Sequence, residues 1–461
     1  MRGLWAKHPR VWLGAALGLA FLLTTAGALF AGISAGTTRA GAVVASPTPS
    51  ATPVRPAPSA LPPATRLRTC SVAAAAADPH LGTLAAHVVN TSTGEVLFDR
   101  DGATPHTTAS VLKLLTAAAA VNVLGVGAQL STRVMDGVTP GTIVLVGGGD
   151  PTLATTPGSF YVGAPLVSDL AAAAMTRYST LHPGVPVTDV VLDASMWDAN
   201  DSWDPSWDES ERAAGYQPFI TALMVDGDRA DPTASESPRG DDPIARAGRA
   251  FADAASLGPV TFSRGTAAGG TVLAEVKSQP VGTLIGQMLL TSDNTLAEML
   301  ARVVSVTAGK HGTSGSLATV IPATLKGLGL ADADRITVRD GSGESELNAV
   351  PTTFVTELLV KIAAREHDLG VIYDGMPVGG QTGDLYDRFS GPNASAAGAV
   401  VAKPGWGDTQ RSLAGIVHAA DGTTLAFAFY GMGDAISFNT RRALDTLTTG
   451  VFSCGDNLSN N

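Results

Sequence analysis

Three short stretches of this chain carry residues whose types and spacing suit acyl-transfer chemistry. The first is Ser110-Val-Leu-Lys113, the one place where a serine stands three residues before a lysine. Its surroundings, Thr108 to Val121, read as an apolar helix that opens at a small polar residue. On such a helix Ser110 and Lys113 fall one turn apart on the same face. Apolar surroundings disfavour the charged form of a lysine, so its pKa falls and it can take the serine proton. The second stretch, Ser292-Asp-Asn294, lies in a polar break between two helical patterns and offers a hydroxyl and a side-chain amide. The third, Lys403-Pro-Gly405 followed by Trp406, ends an apolar strand and brings a second lysine. Each stretch has a plainer reading: an exposed lysine on an ordinary helix, a helix–helix turn, a strand end.

The elements that must position these residues are legible as patterns. Leu84–Asn90 and Glu95–Asp99 read as strands joined by the turn Thr91-Ser-Thr-Gly94, just before the Ser110 helix. Thr142–Val146 reads as a strand that runs into Gly147-Gly-Gly-Asp-Pro151, and Val187–Asp193 as another. Asp201–Asp208, with Trp203 and Trp207, reads as an ordered loop whose tryptophans belong to the core. Helical patterns at Leu284–Leu290 and Thr295–Val304 flank Thr291-Ser-Asp-Asn294. Strands follow at Ala399–Ala402, Leu413–His418 and Leu425–Tyr430, and a closing helix near Thr440–Leu447. Strands from both ends with helices between predict an α+β sheet completed by both ends of the body.

At 461 residues, 45% hydrophobic and 15% charged, the chain has room for two or three domains with large cores. A formal net charge of −11, with no Lys/Arg-rich run, argues against nucleic acid as a partner. Arg2, Lys7 and Arg10 precede an uncharged apolar stretch, Val11–Thr38, long enough to span a bilayer with the N-terminus inside. We assign residues 1–10 to a cytoplasmic tail, 11–33 to a membrane anchor and 34–68 to a linker. The linker holds seven prolines between Ala45 and Ala64 and behaves as a semi-stiff spacer. The expected location is the cell membrane, single-pass, with an extracytoplasmic body. A cleaved signal peptide and a secreted body form the alternative. Cys70 and Cys454 bracket the body, and in an oxidising compartment a bridge would tie its first ordered segment to its last. The chain-entropy model assigns such a loop on the order of 5 kcal/mol. Two distant cysteines make a poor metal site, no His/Asp/Glu cluster has metal-ligand spacing, and no cofactor is expected. The histidines give no defensible Ser/His/Asp order, and His106 reads as a loop residue.

Taken together and in this order, Ser110/Lys113, Ser292/Asn294 and Lys403-Pro-Gly405 resemble the S-x-x-K, S-x-N and K-T-G signatures of the active-serine penicillin-recognising enzymes. Ser110 and Ser292 are 182 residues apart, which leaves room for an inserted domain. The chain resembles peptidase family S13, the class C low-molecular-mass penicillin-binding proteins, over roughly residues 80–450. Leu145-Val-Gly-Gly-Gly-Asp-Pro-Thr-Leu153, Ser292-Asp-Asn-Thr-Leu-Ala-Glu298 and Asp340-Gly-Ser-Gly343 carry the likeness, with Thr93–Phe98, Leu413-Ala-Gly415 and Asp421-Gly422. The resemblance implies a β-lactamase/transpeptidase-like serine domain, an antiparallel sheet flanked by helices. Its parts would be 69–130 and 269–456, with an inserted domain at 131–268 and a short tail at 457–461. It implies a D-alanyl-D-alanine carboxypeptidase or endopeptidase acting on peptidoglycan stem peptides, with β-lactam antibiotics as covalent inhibitors. Ser110 would be the nucleophile and Lys113 the base, and Ser292 and Lys403 would pass the proton to the leaving amine. Asn294 would hold the substrate backbone. Gly405 and Trp406 would line its binding edge, with the N–H groups of Ser110 and Trp406 as the oxyanion hole.

The chain also departs from the family pattern. K-T-G-T is replaced by Lys403-Pro-Gly-Trp406, which removes two hydroxyls and a backbone donor. The usual D-G-S-G-L-S-R becomes Asp340-Gly-Ser-Gly-Glu-Ser-Glu346, an exchange of an apolar and a basic residue for two acids. Arg411 or Thr409 are candidates to replace the lost carboxylate contacts. A catalytically weak or dead member that binds peptidoglycan or a cell-wall partner is one alternative. A β-lactamase is another, because Glu344-Ser-Glu-Leu-Asn348 mimics the E-x-x-L-N motif of class A enzymes.

Overall fold

The computed structural model describes residues 67–460. The expected tail at 1–10, the anchor or signal segment at 11–33 and nearly all of the linker lie outside the described residues. Within them, no helix is long and apolar enough to cross a membrane.

Two five-stranded sheets organise the body. The first is built from β1 (Thr83–Asn90), β2 (Val96–Arg100) and three strands from the far end of the chain, in the order β2-β1-β10-β9-β8. Those late strands are β8 (Val400–Trp406), β9 (Gln410–His418) and β10 (Thr424–Met432), and every pairing in the sheet is antiparallel. Along β10, Ala426, Ala428 and Tyr430 pack into one core while Leu425, Phe427 and Phe429 pack into the other. Side chains alternate across a strand, so a run that is apolar throughout marks a sheet covered on both faces. Residues of the closing helix, Phe438–Cys454, cover one face, and those of helix Thr352–Ala363 share the core on the other. The antiparallel serine-domain sheet expected from the chain's two ends is the one observed.

The second sheet holds β3 (Ser131–Asp136), β4 (Thr142–Gly147), β5 (Asp189–Asp193), β6 (Thr261–Arg264) and β7 (Val272–Lys277), in the order β6-β5-β4-β3-β7. It is mixed: β4, β5 and β6 run parallel, whereas β3 pairs antiparallel with both β4 and β7. An insert boundary at residue 268 leaves out β7, whose ladder with β3 ties residues up to Lys277 to this sheet.

Between the sheets in sequence lie the helices that carry the site. We label them α1 (Lys113–Leu124), α2 (Val281–Leu290) and α3 (Asn294–Thr307). From Lys113 to Val121 every residue of α1 is buried, which explains a run of apolar residues with no polar face. The Cys70–Cys454 disulfide forms, with Cα atoms 5.4 Å apart. It joins the segment that enters β1 to the end of the closing helix, and Cys70 N–H also donates to Asn457 O at 3.1 Å.

Candidate active site

Ser110 does not stand on the α-helix itself, as the apolar pattern suggested. It sits in a 3-10 turn, Ala109–Leu112, that leads into α1 at Lys113. In a 3-10 turn residues three apart eclipse one another, which aligns Ser110 and Lys113 more closely than an α-helix would. Ala109 takes a left-handed φ of 43°, a strain held in place by what surrounds it. Gly405 of β8 passes so close that a Cβ there would lie 3.0 Å from Ser110 N and collide with Ser412 Oγ. Gly343 presses on Ala109 O from the other side at φ 86°, so both glycines are required by close approach. Ser412 Oγ, from β9, donates to Thr108 O at 2.7 Å and completes the clamp.

Lys113 is fully buried and every proton of its ammonium has a partner. Nζ donates to Ser110 Oγ at 2.8 Å, to Asn294 Oδ1 at 2.7 Å and to Ser342 O at 2.8 Å. Burial, reinforced by the charge of Lys403, lowers its pKa to about 7, against the opposing pull of Glu344, Asp340 and Glu298. The expected nucleophile–base pair is therefore within proton-transfer distance, with a lysine that is partly neutral near neutral pH.

The Ser292–Asn294 loop is a tight link between α2 and α3, with Ser292 at φ 56°. Asp293 caps α3 by accepting from Leu296 N at 2.7 Å. The same carboxylate accepts from Arg229 Nη2 at 2.6 Å in an ion pair almost wholly buried at both ends. Arg229 also donates to Tyr161 Oη at 2.9 Å. Long-range pairing of this kind leaves no local mark in the sequence, and the role of Arg229 was not read there. Asn294 is committed within the site: its Oδ1 accepts from Lys113, and its Nδ2 donates to Glu344 Oε2 at 3.0 Å.

Lys403 is buried in β8 and its pKa is lowered to about 8, chiefly by burial and against the pull of Asp384. Its Nζ donates to Pro404 O at 2.8 Å and reaches Asp384 Oδ2 at 3.5 Å. Among the described residues no hydrogen bond joins it to Ser292. Pro404 is accommodated because β8 is an edge strand, where a missing N–H breaks no interior ladder. Trp406 is 59% exposed, and the Arg411 guanidinium lies over its ring, 3.3 Å from the centroid. Arg411 itself donates to the carbonyls of Gly407 and Gln410. Thr409 is occupied elsewhere, donating to Glu346 Oε1 at 2.8 Å.

A third wall comes from the Asp340–Glu346 turn. Buried Asp340 accepts from Gly343 N at 2.8 Å, Ser345 N at 2.6 Å, Asn348 Nδ2 at 2.9 Å and Trp207 Nε1 at 2.8 Å. Trp207 is thus a core residue with its N–H satisfied, as its type predicts. Glu298, from α3, accepts from Gly341 N and Ser342 N, and burial together with Asp340 pushes its pKa up. Ser110, Ser292, Asn294, Glu344, Gly405, Trp406 and Arg411 all line one cleft of about 1080 Å³. No group of three or more His, Cys, Asp or Glu residues suited to a metal occurs among the described residues.

This geometry agrees with comparison to known proteins. The model of the D-Ala-D-Ala carboxypeptidase 3 (S13) family matches residues 68–257 and 255–451. The chain belongs to the S13 family. It is 33% identical over 462 residues to the carboxypeptidase DacB of Mycolicibacterium smegmatis, covering 98% of each chain. It is 28% identical over 421 residues to the D-alanyl-D-alanine carboxypeptidase of Actinomadura sp., covering 75% of this chain and 77% of that one. Among solved structures it is similar to penicillin binding protein 4 of Haemophilus influenzae, with a TM-score of 0.66 and 19% identity over 80% of this chain and 95% of that chain. That same protein has also been solved in complex with a β-lactam, with a TM-score of 0.63 to this chain.

Proposed function

We propose that this S13 protein is a serine D-Ala-D-Ala carboxypeptidase that acts on peptidoglycan stem peptides through an acyl-serine. The observation that carries this reading is the 2.8 Å contact between Lys113 Nζ and Ser110 Oγ inside the cleft. A neutral Lys113 takes the Ser110 proton as Oγ bonds to the carbonyl carbon between two D-alanines. The oxyanion lies between the N–H groups of Ser110 and Trp406, a reading supported by the close approach of Gly405, the residue before Trp406, to Ser110 N. The C–N bond then breaks, and the leaving amine takes a proton by way of Ser292 and Lys403. Water cleaves the ester and restores Ser110.

Arg411, the cation beside Trp406, takes over the terminal carboxylate contact that two threonines would otherwise supply, since Thr409 is engaged with Glu346. β-Lactams acylate the same serine. The N-terminal apolar segment holds the body outside the membrane, in an oxidising compartment that suits the Cys70–Cys454 bridge. The test is intact mass of the protein after incubation with benzylpenicillin, beside Ser110→Ala. An adduct, or drug hydrolysis through a short-lived one, on the wild type alone is expected. A folded wild type with neither adduct nor drug hydrolysis would refute the reading.

A further inference from the structure

Glu344 stands where the family pattern has an apolar residue, and its side chain belongs to the catalytic hydrogen-bond chain. From Ser110 Oγ the chain runs 2.8 Å to Lys113 Nζ, then 2.7 Å to Asn294 Oδ1, and from Asn294 Nδ2 it runs 3.0 Å to Glu344 Oε2. Lys113 donates here, as ammonium or as a neutral amine with its lone pair turned to Ser110, so Asn294 turns its carbonyl to the lysine and its NH₂ to Glu344. The carboxylate is therefore held as an acceptor with a lone pair left over. Its backbone is fixed as well. Gly343 N and Ser345 N both donate to Asp340, and Gly343 rests against Ala109. Glu344 and Ser110 line the same cleft.

We infer that Glu344 is the general base of deacylation, the group that activates the water which hydrolyses the acyl-serine. The inference rests on the acyl-serine reading above. Water bonds through its oxygen to the ester carbonyl carbon and gives a proton to the Glu344 carboxylate. The tetrahedral intermediate collapses with cleavage of the carbon–Oγ bond as the Lys113 ammonium, 2.8 Å away, gives its proton to Ser110 Oγ, and the proton held by Glu344 passes through solvent to restore Lys113. The product is a free carboxylic acid, and no other reactant is needed.

The groups that face Glu344 make it suitable. Burial first, then the charges of Glu211 and Asp340, push its pKa up to about 7, while Lys113 and the Asn294 hydrogen bond pull the other way. A base poised there works near neutral pH. An enzyme built this way turns over its penicilloyl adduct and does not stay blocked by it, so β-lactam hydrolysis is a second activity of the site.

The experiment follows the benzylpenicillin adduct by intact mass on full-length wild type, Glu344→Gln and Glu344→Leu, with penicilloic acid release measured in parallel. Glu344→Gln keeps an acceptor for Asn294 and tests the base alone, whereas Glu344→Leu restores the family residue. The expected result is an adduct on all three, with adduct lifetime, read separately from the rate of acylation, lengthened about 10²-fold to 10⁴-fold in both variants. Wild-type deacylation should climb with pH through about 7 and the climb should vanish in Glu344→Gln. Adducts of equal lifetime in all three proteins would overturn the inference and leave the acyl-serine reading standing. Neither adduct nor hydrolysis in any of them would overturn both.

Discussion

The two sides of the cleft are built on different principles. On one side, Lys113 is fully buried, Ser110 and Asn294 are half-buried at the cleft wall, and the Ser110 turn is clamped by two close glycine approaches and hydrogen-bonded to Lys113. On the other, the edge strand β8 ends in Pro404, Gly405 and an exposed Trp406, with Arg411 stacked on its ring. In the proposed reaction the first side makes and breaks a covalent bond, and displacement of a few tenths of an ångström there would cost rate. The second side, by the proposal above, recognises the substrate's end, and its residue types can change while the β8–β9 pairing holds Trp406 opposite Arg411. If the proposed roles hold, chemistry and recognition are separable here: Ser110, Lys113, Ser292, Asn294 and Lys403 match the family pattern, whereas Pro404 and Trp406 depart from it.

The largest expected effect breaks the first side outright. Ser110→Ala should abolish the benzylpenicillin adduct while leaving the fold intact, checked by mass and by thermal melting. Lys113→Met, close in length but without an amine, should slow adduct formation about 10²-fold to 10⁴-fold. The pH dependence carries the sign. With a lysine pKa near 7, the neutral base is lost as pH falls, so wild-type acylation should decline below about pH 7 and plateau above it. A flat acylation profile from pH 5 to 9 would mean that Lys113 is not the base.

A third prediction asks how far the rigid side extends. Arg229 lies between β5 and β6 in sequence, yet its guanidinium is paired with Asp293 beside Asn294. Arg229→Met leaves a buried carboxylate hydrogen-bonded to the Tyr161 hydroxyl and the α3 amide, with the charge of Arg239 nearby but no ion-pair partner in contact among the described residues. Breaking a buried pair in this way costs about 3–5 kcal/mol. Denaturant unfolding should show the loss, and Asn294 should be displaced enough to slow acylation too. A variant with wild-type stability would show that the Ser292–Asn294 loop is held by its helix cap alone.

How much of this was legible in the sequence depends on the range of each interaction. The Ser110/Lys113 pair could be read because three residues of spacing on one helical turn is a local fact, although the turn proved to be 3-10. The strands of the first sheet were read within one to four residues, because their apolar runs and turn residues are local signals. The disulfide followed from the position of Cys70 and Cys454 at the two ends of the body. The Arg229–Asp293 pair, the Ser342 carbonyl that holds Lys113, and the Asp340 and Glu298 carboxylates that shape the turn depend on residues tens to hundreds of positions apart. No periodicity encodes them. Glu344 was visible only as a departure from a pattern, and its meaning required knowing which way Asn294 faces. The second sheet's last strand was missed for the same reason, since β7 earns its place by pairing with β3 across most of the inserted stretch.

The smallest expected effect tests the recognition side on its own. If Pro404 and Trp406 are tolerated because only terminus reading passes through them, then Pro404→Thr with Trp406→Thr should restore hydroxyls on the β8 edge without touching the acylation groups. Each new hydrogen bond is worth about 1 kcal/mol, so kcat/KM on a peptide ending in free D-Ala-D-Ala should rise about 30-fold for the pair. The rate of benzylpenicillin acylation at pH 8, governed by Ser110 and Lys113, should move much less. Arg411 complicates this usefully, because its guanidinium loses the Trp406 ring on which it now rests. If Arg411 is the carboxylate contact, freeing it from the ring changes its orientation, and part of the gain from the threonines is offset. Adding Arg411→Ala to the double variant separates the two contributions: the threonines keep their gain if they bind the carboxylate themselves, and lose it if they act by steering the arginine. A fall in acylation as large as the change in peptide turnover would instead mean that the two sides of the cleft are one coupled unit, and that the β8 edge positions the oxyanion hole as much as it reads the substrate.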